Sequence, residues 1–244
     1  MRARRFFPLF FLVLSIALAP LRAQLVPLEV LTLPVEEWTI RLRHADELLR
    51  TGRWSRGRGE AEGLIKQMRR VQAQGEGFAE LVGQAVAMRA IGAAGLKEMP
   101  AAAWDTAAAQ AIGFDWKTLR LSAYGEAGAR IRTELDSLAT VDTRIRYVEA
   151  DGEIVRPDIR NRKDFVYPAA LRVQRINGQV IVESVIDERG VVRRPKILNP
   201  GKAHPLLVLA VLDSLRDWRF EPAQLNGKAM AVYYVLTTNL RVEE

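Results

Sequence analysis

The chain has 244 residues, 49% of them hydrophobic and 27% charged, which excludes wholesale disorder and collagen-like repetition and leaves room for one large or two ordinary domains. Its net charge of +7 falls to +3 without Arg2, Arg4, Arg5 and Arg22, which lie in a segment expected to be removed; so small an excess argues against a nucleic-acid partner. The absence of cysteine excludes disulfides, Cys-ligated zinc or iron–sulfur sites and a thiol nucleophile.

Residues 1–23 combine a basic start, an apolar run from Phe6 to Ala19 and the small residues Ala17, Ala19 and Ala23 before Gln24. That layout is a secretory signal peptide, the run being shorter than the ~20 apolar residues needed to cross a bilayer. Leu21 stands where a small residue is preferred before cleavage, so an uncleaved signal anchor is the competing reading. Either way the remainder is expected to be exported.

Residues 24–33 look like an extended lead-in, and a helical domain is expected over 34–140. Pro34 opens a helix whose face is Trp38, Leu42, Ala45, Leu48 and Leu49. After the break at Thr51-Gly52-Arg53, a second helix carries Ala61, Leu64, Ile65 and Met68. Gln74-Gly75-Glu76-Gly77 precedes a third with Leu81, Ala85, Met88, Ile91 and Gly92. Pro100 opens a fourth through Trp104, Ala107, Ala108 and Ala111, and a fifth is expected from about Trp116 to Leu138. The stretch Ala45 to Trp54 resembles a degenerate tetratricopeptide unit, although the breaks at Gly52 and Gly95 are 43 residues apart, against about 34 in a regular repeat. An ordinary helical bundle is the other reading. Both bury aliphatic faces and offer a surface to a partner.

Periodicity fades over 141–154, the expected linker, and from Gly178 the period becomes two. Val180, Val182 and Ile186 point one way, and Gln179, Glu183 and Asp187 the other. Asp187-Glu188-Arg189-Gly190 reads as a tight turn. The return strand Val191 to Leu198 contains Pro195, which demands a place where the missing N–H is harmless. Pro205 opens a helix with the stripe Leu207, Ala210, Val211, Ser214, Leu215 and Trp218, and Asn226-Gly227 turns into a long strand from Ala229 to Arg241. The expected class is α+β: an all-α domain followed, over 155–244, by a three-stranded antiparallel sheet packed on helices.

Helix, hairpin, helix and strand in this order, with Tyr167-Pro168-Ala169, Gly178-x-Val180, Ile186-Asp187-x-x-Gly190-x-Val192, Trp218-Arg219-Phe220-x-Pro222-Ala223 and Gly227, resemble the C-terminal domain of the TonB family of energy transducers. The resemblance spans roughly residues 155–242. It implies a periplasmic domain that takes an extended segment of an outer-membrane transporter, or of another envelope protein, as an extra strand on a sheet edge. The edge it points to is the last strand, with Val232, Tyr233, Tyr234, Val235 and Leu236 at its centre. That strand lacks the Lys or Glu with which exposed edges discourage pairing, and a homodimer contact would explain this equally well. No Pro-rich spacer is evident, and inner-membrane proton-channel partners are implied only for an uncleaved N-terminus. The alternative function is a non-transport periplasmic scaffold in which the helices recruit partners and the C-terminal domain dimerises. A third surface to consider is the basic set Arg172, Arg175, Arg193 and Arg194.

No catalytic residue, metal site or cofactor is expected. His44 lies in a charged helical stretch and His204 just before a Pro-opened helix, as a cap. Asp213 and Asp217, one helical turn apart, read as solvent-facing.

Overall fold

Trp38, Leu42, Ala45, Leu48 and Leu49 are the buried residues of α1 (Val35–Arg50), as their three- and four-residue spacing requires. The computed structural model describes residues 35–71, 77–148 and 152–242; the expected signal segment 1–23 and lead-in 24–33 lie outside them. α2 (Trp54–Met68) buries Ala61, Leu64, Ile65 and Met68. α3 (Phe78–Gly95) is buried around most of its circumference, being packed by α1, by α2, by α4 (Met99–Ile112) and by α5 (Gly125–Ala139). Small residues make that possible: a Cβ on Gly95 would fall 2.1 Å from the Trp54 ring.

The single helix expected from Trp116 to Leu138 is broken. Two short 3-10 turns, Trp116–Thr118 and Leu121–Tyr124, precede α5. Asp115 accepts the Lys117 N–H at 3.0 Å and closes the first turn, which competes locally with helix. Gly125 takes φ 54°, a conformation outside any right-handed helix. The Tyr124 hydroxyl then donates to Asp46 on α1, and burial together with that carboxylate pushes the phenol pKa upward.

The expected order of helices first and sheet second holds, but the sheet is larger and mixed. β3 (Gly178–Ile186) pairs antiparallel with β4 (Val192–Ile197) and with β8 (Val232–Leu240). A fourth strand, β1 (Arg146–Tyr147), pairs parallel with β8, giving the order β1-β8-β3-β4. β1 comes from the stretch expected as linker; two residues carry no readable period. α6 (Ala169–Val173) follows Pro168, and α7 (Pro205–Leu215) is capped by His204, whose Nδ1 accepts the Leu206 N–H at 3.2 Å. β2 (Asp158–Asn161) pairs with β5 (Arg219–Glu221), and β6 (Ala223–Leu225) with β7 (Lys228–Met230). The long strand expected from Ala229 to Arg241 is therefore divided at Ala231. Asn226 and Gly227 both have positive φ, 53° and 75°, and their two-residue turn commits residues 228–230 to β6 before β8 begins.

Asp213 is not solvent-facing. Asp105, Asp213 and Arg89 form an ionic cluster in which α3, α4 and α7 meet. Arg89 grips Asp105 through two bonds, 2.9 and 2.8 Å, and reaches Asp213 at 3.2 Å; Arg69 beyond α2 also binds Asp213. Burial works against the Arg89 charge, but the two carboxylates outweigh it and raise its pKa. The guanidinium is cationic at every accessible pH. Removing one partner of such a set strands a buried charge, which costs ~3–5 kcal/mol, whereas replacing the set by apolar groups of similar size is often neutral. Arg89→Met should accordingly lower stability to urea by that amount, and adding Asp105→Leu should restore part of the loss.

Candidate partner-binding edge

The residues shared with the TonB pattern build the frame around β8, and each does so for a local reason. The Tyr167 hydroxyl donates to the Ile176 carbonyl, tying the entrance of α6 to its exit. Pro168 is the residue before α6, and Gly178 begins β3 where a Cβ would press to 3.2 Å from Leu207. Asp187 organises the β3–β4 turn: its carboxylate accepts the N–H groups of Arg189 at 3.0 Å and Val191 at 2.9 Å, and Arg193 Nε donates to it at 2.6 Å. Gly190 has φ 73°, and a Cβ there would lie 1.7 Å from the Phe220 carbonyl oxygen. Only glycine lets β5 approach the turn so closely.

Arg219 is outside and Phe220 is buried, but Trp218 is only half-buried. Its indole N–H donates to the Lys163 carbonyl at 2.9 Å, and the Arg162 guanidinium lies over its ring at 5.1 Å. Phe220 meets Tyr234 of β8 edge to face, centroids 6.1 Å apart. Pro222 separates β5 from β6, and Gly227 completes the turn into β7.

β8 itself has two dissimilar faces. Val232, Tyr234, Leu236, Thr238 and Leu240 stand opposite Ile186, Ser184, Val182, Val180 and Gly178, and line the side against α7, where a narrow crevice opens among Arg162, Phe165, Trp218, Leu236 and Thr238. On the reverse side Tyr233 is buried, Val235 half-buried, and Thr237 and Asn239 exposed. Asn239 accepts from the Gln179 side chain at 2.9 Å.

The outer edge of β8 is partly covered at its start. Arg146 pairs with Val232 and Tyr147 with Tyr233, so two of the five residues expected to meet a partner already have a strand beside them. Tyr147 stacks on Tyr233 with centroids 4.9 Å apart and planes at 25°, and its hydroxyl donates to Glu183 at 2.9 Å. That bond, followed by burial, raises the Tyr147 pKa. Among the described residues no strand lies outside Tyr234 to Leu240. Those seven residues, Tyr-Val-Leu-Thr-Thr-Asn-Leu, contain neither charge nor proline.

The opposite edge of the sheet differs. In β4 the register slips between Glu183 and Val185, so that Arg194, at φ 52°, and Pro195 together face Ser184. This is a bulge, and it gives Pro195 the tolerant position that its missing N–H requires. α4 packs against β4 as well. Of the basic residues considered as a third surface, Arg172 and Arg175 are exposed, Arg193 pairs with Asp187, and Arg194 donates to the carbonyls of Ser137 and Thr140 at the end of α5, at 2.8 and 2.7 Å.

Residues 163–241 match the family model described as Gram-negative bacterial TonB protein C-terminal. A solution NMR structure of the Pseudomonas aeruginosa TonB C-terminal domain is 23% identical over 38% of this chain and 91% of its own length, with a TM-score of 0.32. No curated protein matches the chain.

The Asp187 turn yields a pH test. Burial opposes its charge, but Arg193 and the Val191 and Arg189 N–H groups prevail and hold the carboxyl below the usual range. A depressed acid contributes stability above its unfolded pKa, about 3.9, and loses it as pH falls through the folded value. Asp187→Asn should therefore cost ~1–3 kcal/mol at pH 7, measured by urea unfolding, and the gap to wild type should close below pH ~4.

Proposed function

We propose, taking residues 163–241 as the TonB C-terminal domain they match, that the chain is an exported, non-catalytic envelope protein that captures an extended segment of a partner along β8. The partner class is an outer-membrane transporter or another envelope protein, the compartment is the periplasm, and the role is in transport across the envelope. The observation that supports this best is the uncharged, proline-free run Tyr234 to Leu240, with no described strand outside it. Backbone pairing supplies the affinity in strand addition, and alternate side chains supply the choice of partner. Here one row of an added strand would meet the crevice at Phe165 and Trp218, and the other would meet Val235 and Thr237. The helices of 34–140, read as tetratricopeptide-like, would hold a second surface for protein binding.

A photo-crosslinking residue in place of Thr237 tests the reading in the native envelope. The expected product is an adduct with another envelope protein, mapped to an extended segment. In an antiparallel pair, neighbouring residues direct their N–H groups to opposite sides. Proline at Tyr234 or at Val235 therefore removes an N–H facing β3 in one case and the outer edge in the other. The outward one should leave the fold intact by circular dichroism and abolish the adduct. An adduct of the chain with itself would favour a homodimer. An adduct formed only from the helical surface, for example from exposed Arg43, would favour the scaffold alternative.

A further inference from the structure

β1 is too short to be held by its own pairing, since even a complete two-stranded hairpin is marginal in water. Side chains hold it. Tyr147 lies on Tyr233 and binds Glu183, and the next residue, Val148, is buried. On the other side, the chain reaches β1 directly from the end of α5, whose last carbonyls are gripped by Arg194 of β4. Asp142 closes the intervening turn by accepting from the backbone and the side chain of Arg144 at 3.0, 2.9 and 2.8 Å. β1 is thus a short tether delivered to the edge of β8 from the helical region. Despite its two contacts, Tyr147 remains 44% exposed, so its own side chain is only partly removed from water.

We propose that β1 is an intramolecular occupant of the acceptor edge and that the partner segment replaces it, running parallel to β8 in the same register and laying an aromatic side chain on Tyr233 within reach of Glu183. The inference rests on the reading of β8 as a strand acceptor and adds to it the polarity, the anchoring residue and the competitor. The polarity follows from β1, the parallel strand already paired at Val232 and Tyr233. The aromatic anchor follows from the stack and the hydroxyl bond that β1 makes there. Competition follows because one edge position accepts one strand. An acceptor that is partly self-occupied binds more weakly by the fraction of molecules in which the edge is vacant.

A fluorescein-labelled synthetic peptide with the sequence of residues 143–149 serves as the probe, titrated by fluorescence anisotropy into the full chain and into its Arg146→Gly, Tyr147→Gly double variant. Both substitutions lie in a two-residue edge strand, and circular dichroism checks that the variant keeps its fold. The expected result is a Kd about tenfold lower for the variant, and loss of that gain when the tyrosine of the peptide is replaced by alanine. Equal affinity for the two chains would overturn occupancy by β1. Equal affinity for the two peptides would overturn the aromatic anchor. No binding to either chain would overturn the proposal entirely, while the Thr237 crosslink, which uses no part of β1, would still report on the acceptor reading alone.

Discussion

A β-sheet ends in two rows of unsatisfied backbone groups, and this chain treats its two rows differently. At β4 the ladder is interrupted by the Arg194-Pro195 bulge, proline contributes no N–H, and Arg193 and Lys196 are charged. All of these discourage a further strand. At β8 none of these devices is present from Tyr234 onward. The rest of the structure is arranged around that asymmetry. α7 backs one face of the sheet, Phe220 props Tyr234 from beneath, and the Asp187 turn with Gly190 fixes β5 close enough for Phe220 to do so.

The helical region bears on the same edge through two connections. Arg89, held between Asp105 of α4 and Asp213 of α7, fastens helices to the C-terminal part by a charge set that is costly to break. Arg194 meanwhile fixes the end of α5, and the chain that leaves α5 becomes β1. The chain leaving the helical region thereby supplies the strand that lies beside β8.

Much of this was legible in the sequence because it depended on local period. The face of α1, the strand alternation from Val180 to Ile186, the turn at Asp187 to Gly190 and the tolerant place of Pro195 all follow from neighbours within a few residues. What escaped depended on distant partners. Asp213 reads as a solvent-facing acid until Arg89, 124 residues away, is brought to it. β1 has only two residues, and the stack of Tyr147 on Tyr233 is fixed by tertiary structure alone. The break between Trp116 and α5 could have been suspected from Asp115 and Gly125, a turn acceptor and a residue tolerant of positive φ. The division of the last strand at Ala231 was concealed because residues 229–241 are uniformly strand-like, and only the reach of the Asn226-Gly227 hairpin separates them.

Among the described residues no strand covers β8 beyond Tyr233, and amide hydrogen exchange measured residue by residue by NMR on the free chain tests most directly whether that edge is open. Along Tyr234 to Leu240, amides should alternate: slow where the N–H bonds to β3 and fast where it faces outward, with the outward one of the Val232 and Tyr233 amides slowed by β1. Uniform protection along the whole of β8 would mean that its outer side is already covered, and would contradict the account.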